Sequence, residues 1–162
     1  MRQRPPAIKN AAWRLAYRLA FPCMMLVWRL RRRPYQGALV ALWAGSEILL
    51  LRSSYRRAWN LPGGGVRAGE TPEQAARREL LEETGVTAGV LHQTQTLTGT
   101  WHGRRERVTF FALRLPVAPQ LQLDGREIIE ARFVSVGELR QLALTRPVEL
   151  YLSRQLQTSR PA

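Results

Sequence analysis

Cysteine occurs once in the 162 residues, at Cys23, and histidine twice. No internal disulfide can form, no multi-cysteine metal centre can exist, and disulfide-rich secreted scaffolds are excluded. A lone thiol fits a reducing compartment, so a cytoplasmic protein is expected. Lysine is nearly absent, Lys9 being the sole example among 25 bases. Long apolar runs are missing as well. Within residues 1–34 the longest stretch without charge, residues 19–28, is ten residues, whereas a membrane span needs about 20. It is followed by Arg29 and Arg31 to Arg33 rather than by a small-residue cleavage site, which disfavours a secretory signal. Internal repeats, low-complexity tracts and a second-domain linker are absent too.

Acid is missing from one region. Residues 1–34 carry nine bases (Arg2, Arg4, Lys9, Arg14, Arg18, Arg29, Arg31, Arg32, Arg33) and no Asp or Glu. The whole chain has 25 bases and 12 acids, net +13, so residues 35–162 contribute only +4. The excess belongs to the N-terminal segment, and nucleic acid is disfavoured as a partner of the remaining domain. Residues 8 to 33 form an expected basic amphipathic helix. Arg14, Arg18, Arg29 and Arg32 fall within about 60° of one another on it, and Pro22 is expected to kink or split it near Phe21. Three roles stay open: packing on the domain or on a homodimer partner, lying on an anionic membrane at the inner face as a peripheral contact, or serving as a nucleic-acid arm.

From residue 35 the pattern changes. Residues 38–43 (ALVALW) and 48–51 (ILLL) are short apolar runs around Ala44-Gly45-Ser46, a strand pair with a tight turn. Residues 72–84 form a punctuated helix. Thr71 is its N-cap, Pro72 its first residue, Gln74 the far end of a capping box and Gly85 its left-handed stop. Residues 86–99 read as a strand, His102-Gly103 as a turn and residues 107–115 as the antiparallel partner. Asp124-Gly125 is another turn, 130–136 a strand, 136–144 a short helix and 146–157 a final amphipathic helix. Strands flanking a helix, with further helices at the end, indicate an α/β fold with a mixed sheet covered by helices. The expected division is residues 1–34 as the helical segment and 35–162 as the domain.

Residues 64–86 read GGVRAGETPEQAARRELLEETGV. On a helix Glu79 and Glu83 lie about 40° apart and Glu82 about 60° to the other side, so three carboxylates share roughly 100° of arc. Like charges that close repel unless a cation compensates. With oxygen donors alone, the cation is a hard dication, Mg²⁺ first and Mn²⁺ second. The segment resembles the Nudix box, G-x5-E-x7-R-E-U-x-E-E-x-G-U with U a bulky aliphatic. It matches at every defined position: Gly64, Glu70, Arg78, Glu79, Leu80, Glu82, Glu83, Gly85 and Val86. Trp59-Asn-Leu-Pro-Gly-Gly resembles the lead-in that usually precedes such a box.

The resemblance implies a Nudix-type α/β/α sandwich around a central mixed sheet. It also implies hydrolysis of a nucleoside diphosphate linked to another moiety: a nucleoside triphosphate, a nucleotide sugar or a dinucleotide. Glu79, Glu82 and Glu83 would hold the metal with Glu70 in support, and Arg78 would orient the carboxylates. Gly63, Gly64 and Gly65 would let backbone N–H groups approach the pyrophosphate. A general base is often recruited outside the box, and the candidates are Glu127, then Glu130 and Glu106. Arg52 is a candidate phosphate contact. His92 and His102 are expected to be structural or exposed, and Trp59, Trp101, Phe110 and Phe111 to be core in the main. No secondary signature marks a substrate branch. The rival readings are a nucleotide-sensing Nudix module without catalysis and an RNA 5′-end pyrophosphohydrolase.

Overall fold

The two apolar runs on either side of Gly45 become the centre of a six-stranded sheet. The computed structural model describes residues 7–30, 34–101, 104–123 and 125–158; the His102-Gly103 turn, Asp124, Arg32 and the Arg29 side chain lie outside the described residues. In chain order the elements are α1 (Ala7–Leu30), β1 (Tyr35–Ala44), β2 (Glu47–Ser53), β3 (Gly63–Gly65), α2 (Pro72–Thr84), β4 (His92–Trp101), β5 (Arg104–Leu115), β6 (Ile128–Ser135), α3 (Val136–Leu139) and α4 (Arg146–Thr158). The sheet order is β4-β5-β1-β2-β6, with β3 added to β1. β1 runs parallel to β5 and every other pairing is antiparallel, so the sheet is mixed, as expected.

Alternation along β1 sorts the core into two layers. Ala38, Val40 and Leu42 face α2, where Ala75, Ala76 and Leu80 meet them. Leu39 and Ala41 face the other way, towards Leu139 of α3 and Val148, Tyr151 and Leu152 of α4. Each fully buried aliphatic side chain contributes about 1.5–3 kcal/mol. Phe110 and Tyr151 stack face to face there with centroids 4.3 Å apart. The result is the expected α/β/α sandwich.

The β1–β2 pair positions the site. Its paired register runs through Trp43↔Ile48 and Ala44↔Glu47, beside the turn. Farther along, β1 takes β3 instead, with Leu39 opposite Gly63 and Gly37 opposite Gly65. Leu51 bridges to Asn60, and Val40 N–H donates to Pro62 O at 2.8 Å. The strands thus splay, and the 54–62 segment enters the gap at the sheet's open end.

Boundaries differ from the sequence reading at several elements, among them β5, which begins at Arg104 rather than at residue 107. β4 begins at His92, not at residue 86, because the Arg77 guanidinium takes the carbonyls of Ala88 and Gly89 at 3.0 and 2.7 Å. β6 starts two residues early, at Ile128. α3 stops at Leu139 rather than 144, because Trp59 recruits the following segment: its N–H donates to Ala143 O and its carbonyl accepts from Thr145 N. Finally, α1 runs through Pro22 as one element rather than splitting there. Arg18 and Phe21, which both contact the domain, hold the turn before the proline.

Candidate active site

α2 begins as its caps dictate. Thr71 accepts from Gln74 N, the Gln74 side chain returns to Thr71 N, and Gly85 closes the helix at φ 74°. The buried face of Ala75, Ala76, Leu80 and Thr84 leaves the box carboxylates directed along the splayed end of the sheet. There β3 comes unusually close. A Cβ on Gly64 would lie 2.5 Å from Glu79 Oε1, so no other residue lets that carboxylate sit where it does. Gly63 adopts φ +139°, and a Cβ there would stand 2.8 Å from Leu39 Cα. Its N–H donates to Glu83 Oε2 at 2.8 Å.

Arg78 is the hub. Its Nε and one Nη donate to the two oxygens of Glu70 at 2.8 and 2.9 Å, a planar fork on a planar acceptor. The same Nη2 reaches Gly65 O at 3.0 Å, and Nη1 donates to Glu79 Oε1 at 2.6 Å and Glu82 Oε2 at 3.4 Å. Arg67 N–H adds a bond to Glu70 Oε2. One guanidinium therefore ties β3, the loop before α2 and two helix carboxylates together. The bonds from Arg78 and Arg67 hold Glu70 down to about 2, and Glu70 in turn raises Arg78. Glu79 goes the other way. Burial raises it, against the Arg78 bond that lowers it, and the charges of Glu82 and Glu127 raise it further.

The cleft these groups border has a volume of about 310 Å³. Glu79, Glu82, Glu83 and Gly63 to Gly65 line one side. Glu127 lines the other, and its Oε1 accepts from the Tyr55 hydroxyl at 2.7 Å. Burial, then the Glu127 charge, lifts Tyr55 far above the ordinary tyrosine range, so it stays a donor.

Comparison with known proteins agrees with the geometry. The sequence model of the NUDIX domain matches residues 33–156. The chain belongs to the Nudix family. It is 34% identical over 105 residues to a putative 8-oxo-dGTP diphosphatase of Bacillus subtilis, covering 64% of this chain and 68% of that one. It is 46% identical over 57 residues to an RNA pyrophosphohydrolase of Pseudomonas paraeruginosa, a match spanning only 35% of each chain. The fold superposes on a MutT protein from Methanosarcina mazei Go1 with a TM-score of 0.69 at 22% identity, covering 80% of this chain and 99% of that one. Nudix enzymes are pyrophosphohydrolases acting on phosphoric anhydrides, and they generally use divalent metal ions.

The donor chemistry of this Nudix cleft fits such an ion. All donors are carboxylate oxygens, and the half-buried Glu79 carries a charging cost that a neighbouring dication would offset. Among the described residues no three acidic, histidine or cysteine side chains are already gathered into a coordination set.

Not every sequence candidate reaches the cleft. Arg52 ion-pairs with Glu130 and lies over the Trp59 ring, 5.4 Å from its centroid, and it is not among the cleft residues. Glu106 lines the cleft but is buried against Arg104 at 2.9 Å. Phe110 and Phe111 are core, Trp101 packs against it, and His92 is exposed. Tyr55, Arg56, Arg67 and Arg104 escaped the sequence reading although all four border the cleft. Arg67 lies inside the box at an undefined position. Only the splay of β1 from β2 and the parallel β1–β5 register bring the other three there.

Proposed function

We propose that residues 35–162 are a Mg²⁺-dependent Nudix pyrophosphohydrolase, with Mn²⁺ as a substitute, cleaving a nucleoside diphosphate linked to another moiety. Nucleoside triphosphates are the first choice, a reading supported by the name of the Bacillus relative. The observation that carries it is the Arg78 hub, which holds Glu79 against the Gly64 backbone while Glu83 and Glu127 face the same cleft. Glu79, Glu82 and Glu83 would hold the ion, and Glu70 would support them by fixing Arg78. When bound, the ion polarises phosphoryl oxygens, acidifies water and neutralises the leaving phosphate. Glu127, fixed by Tyr55, takes the proton of the attacking water as the new P–O bond forms and the anhydride bond breaks. Arg56 and Arg67 supply positive charge at the cleft for the polyphosphate. The protein acts in the cytoplasm, which its single thiol suits.

The RNA 5′-end reading has one specific support, the Pseudomonas segment at 46% identity. Against a non-catalytic sensor stands the complete set of box carboxylates. The test is a screen of nucleoside triphosphates, nucleotide sugars, dinucleotides and 5′-triphosphate RNA with Mg²⁺, identifying the products of each. Hydrolysis should stop with EDTA and return with Mg²⁺ or Mn²⁺. Glu83→Gln should lower kcat by about 10³-fold or more with a melting temperature within about 3 °C of the parent. Turnover indifferent to both treatments would sink the assignment.

A further inference from the structure

Between residues 11 and 26 the helix α1 has two charged side chains, Arg14 and Arg18. Both reach into the domain. Arg14 Nε donates to Gly125 O and Arg18 Nε to Ser54 O, each at 2.9 Å. Beside them the rings of Tyr17 and Phe21 lie against Tyr55, with centroids 6.0 and 4.8 Å away. These four residues span about 100° of the helix. On the far side Leu15, Leu19 and Leu26 fall within about 40° of one another, and they are 58%, 66% and 60% exposed. Ala12, Ala16, Ala20, Pro22 and Cys23 around them are exposed as well, and Trp13 at the margin is 51% exposed. A surface helix ordinarily buries its apolar stripe and shows its charges to water. Here both arginines are engaged by domain carbonyls at the rim, Arg18 remaining exposed, and an uncharged ridge about 16 Å long, from Leu15 to Leu26, faces out.

We propose that this ridge docks on an anionic lipid bilayer. The argument is charge complementarity. The segment holding the ridge, residues 1–34, carries nine bases and no acid. A second copy seated there would bring two such segments together, like sign against like, whereas an anionic surface attracts them. No helix among the described residues is long and apolar enough to cross a membrane. The mode is therefore interfacial: the leucines enter the headgroup boundary, and the positive charge of the segment favours anionic headgroups. Because the inner face of α1 grips Tyr55, the docked helix carries with it the wall of the cleft that holds Glu127.

The experiment is sedimentation of the full chain with vesicles of phosphatidylcholine alone or mixed with phosphatidylglycerol. Binding to the mixed vesicles should be tighter by about tenfold or more. The double variant Leu15→Glu/Leu19→Glu should lose about tenfold or more of that binding while keeping its circular dichroism and its hydrolysis of a soluble nucleotide. Leu19→Ser is a milder variant that should show a smaller loss in the same direction. Equal binding by parent and variants, or binding removed by salt alone, would overturn apolar docking. So would dimerisation abolished by Leu19→Ser without vesicle association, or retention on RNA but not on vesicles. Hydrolysis is read separately, so failure here leaves the catalytic reading standing.

Discussion

Helices α1 and α2 are both rich in arginine, yet they turn opposite faces to the domain. α2 buries Ala75, Ala76 and Leu80 against the sheet and leaves Glu79, Glu82 and Glu83 at the cleft, with Arg78 tied to Glu79 and Glu82. α1 fastens Arg14 and the still exposed Arg18 to loop carbonyls at the domain rim and turns its leucines outward. The difference lies in what each helix meets. α2 meets an apolar sheet face, so burial of aliphatics orients it. α1 meets a loop rim whose carbonyls offer acceptors, and guanidinium groups satisfy them with aromatic packing alongside. Arginine thus organises a charge network in one place and fastens a helix in the other.

The sharpest way to break the contrast is at the contact between α2 and β3. Gly64→Ala puts a methyl group 2.5 Å from Glu79 Oε1, so the carboxylate must move or β3 must shift. Turnover should fall by about 10²-fold, with the expected loss read in kcat rather than KM. A variant with parental kcat would show that the Glu79–Gly64 approach is incidental.

Arg78→Lys tests the hub more gently. Lysine keeps the charge but cannot present a planar fork to Glu70, and kcat should drop by about tenfold. The pH dependence carries the sign. Glu70 is lowered from 4.5 to about 2. Its stabilisation is therefore complete above pH 4.5 and lost as the pH falls from there through about 2. The stability gap between parent and Arg78→Lys should be largest near neutrality and close across that acid window. Chemical denaturation at stepped pH measures it, and a gap constant with pH would refute the pairing.

The smallest effect belongs to α1. Arg14→Ala with Arg18→Ala removes two bonds to loop carbonyls. It should cost about 1 kcal/mol each in stability and change hydrolysis of a soluble nucleotide by less than about twofold. A collapse of kcat would make α1 part of the catalytic apparatus and erase the distinction between the two helices.

Local chemistry made α2 legible before any coordinates. Its caps are side-chain to backbone bonds over three or four residues, and its carboxylate arc follows from the helical repeat. The paired runs around Gly45 were legible for the same reason. The misplaced boundaries have distant causes: Arg77 ends the loop before β4, and Trp59 recruits residues 143–145 away from a longer α3. Arg52 has the right type and a plausible place, but the β2–β6 register sets it opposite Glu130, and the two pair.

By itself, the order of residues determined the helix of the box, the family and the arc of carboxylates along that helix, because each is written in short-range spacing. Tertiary structure alone decided that Arg78 spans Glu70, Glu79 and Gly65, that Tyr55 fixes Glu127 across 72 residues, and that the leucines of α1 face away from the domain. Those facts depend on which surfaces meet. No local periodicity encodes whether a helix finds an apolar sheet or a rim of carbonyls on the side it turns inward.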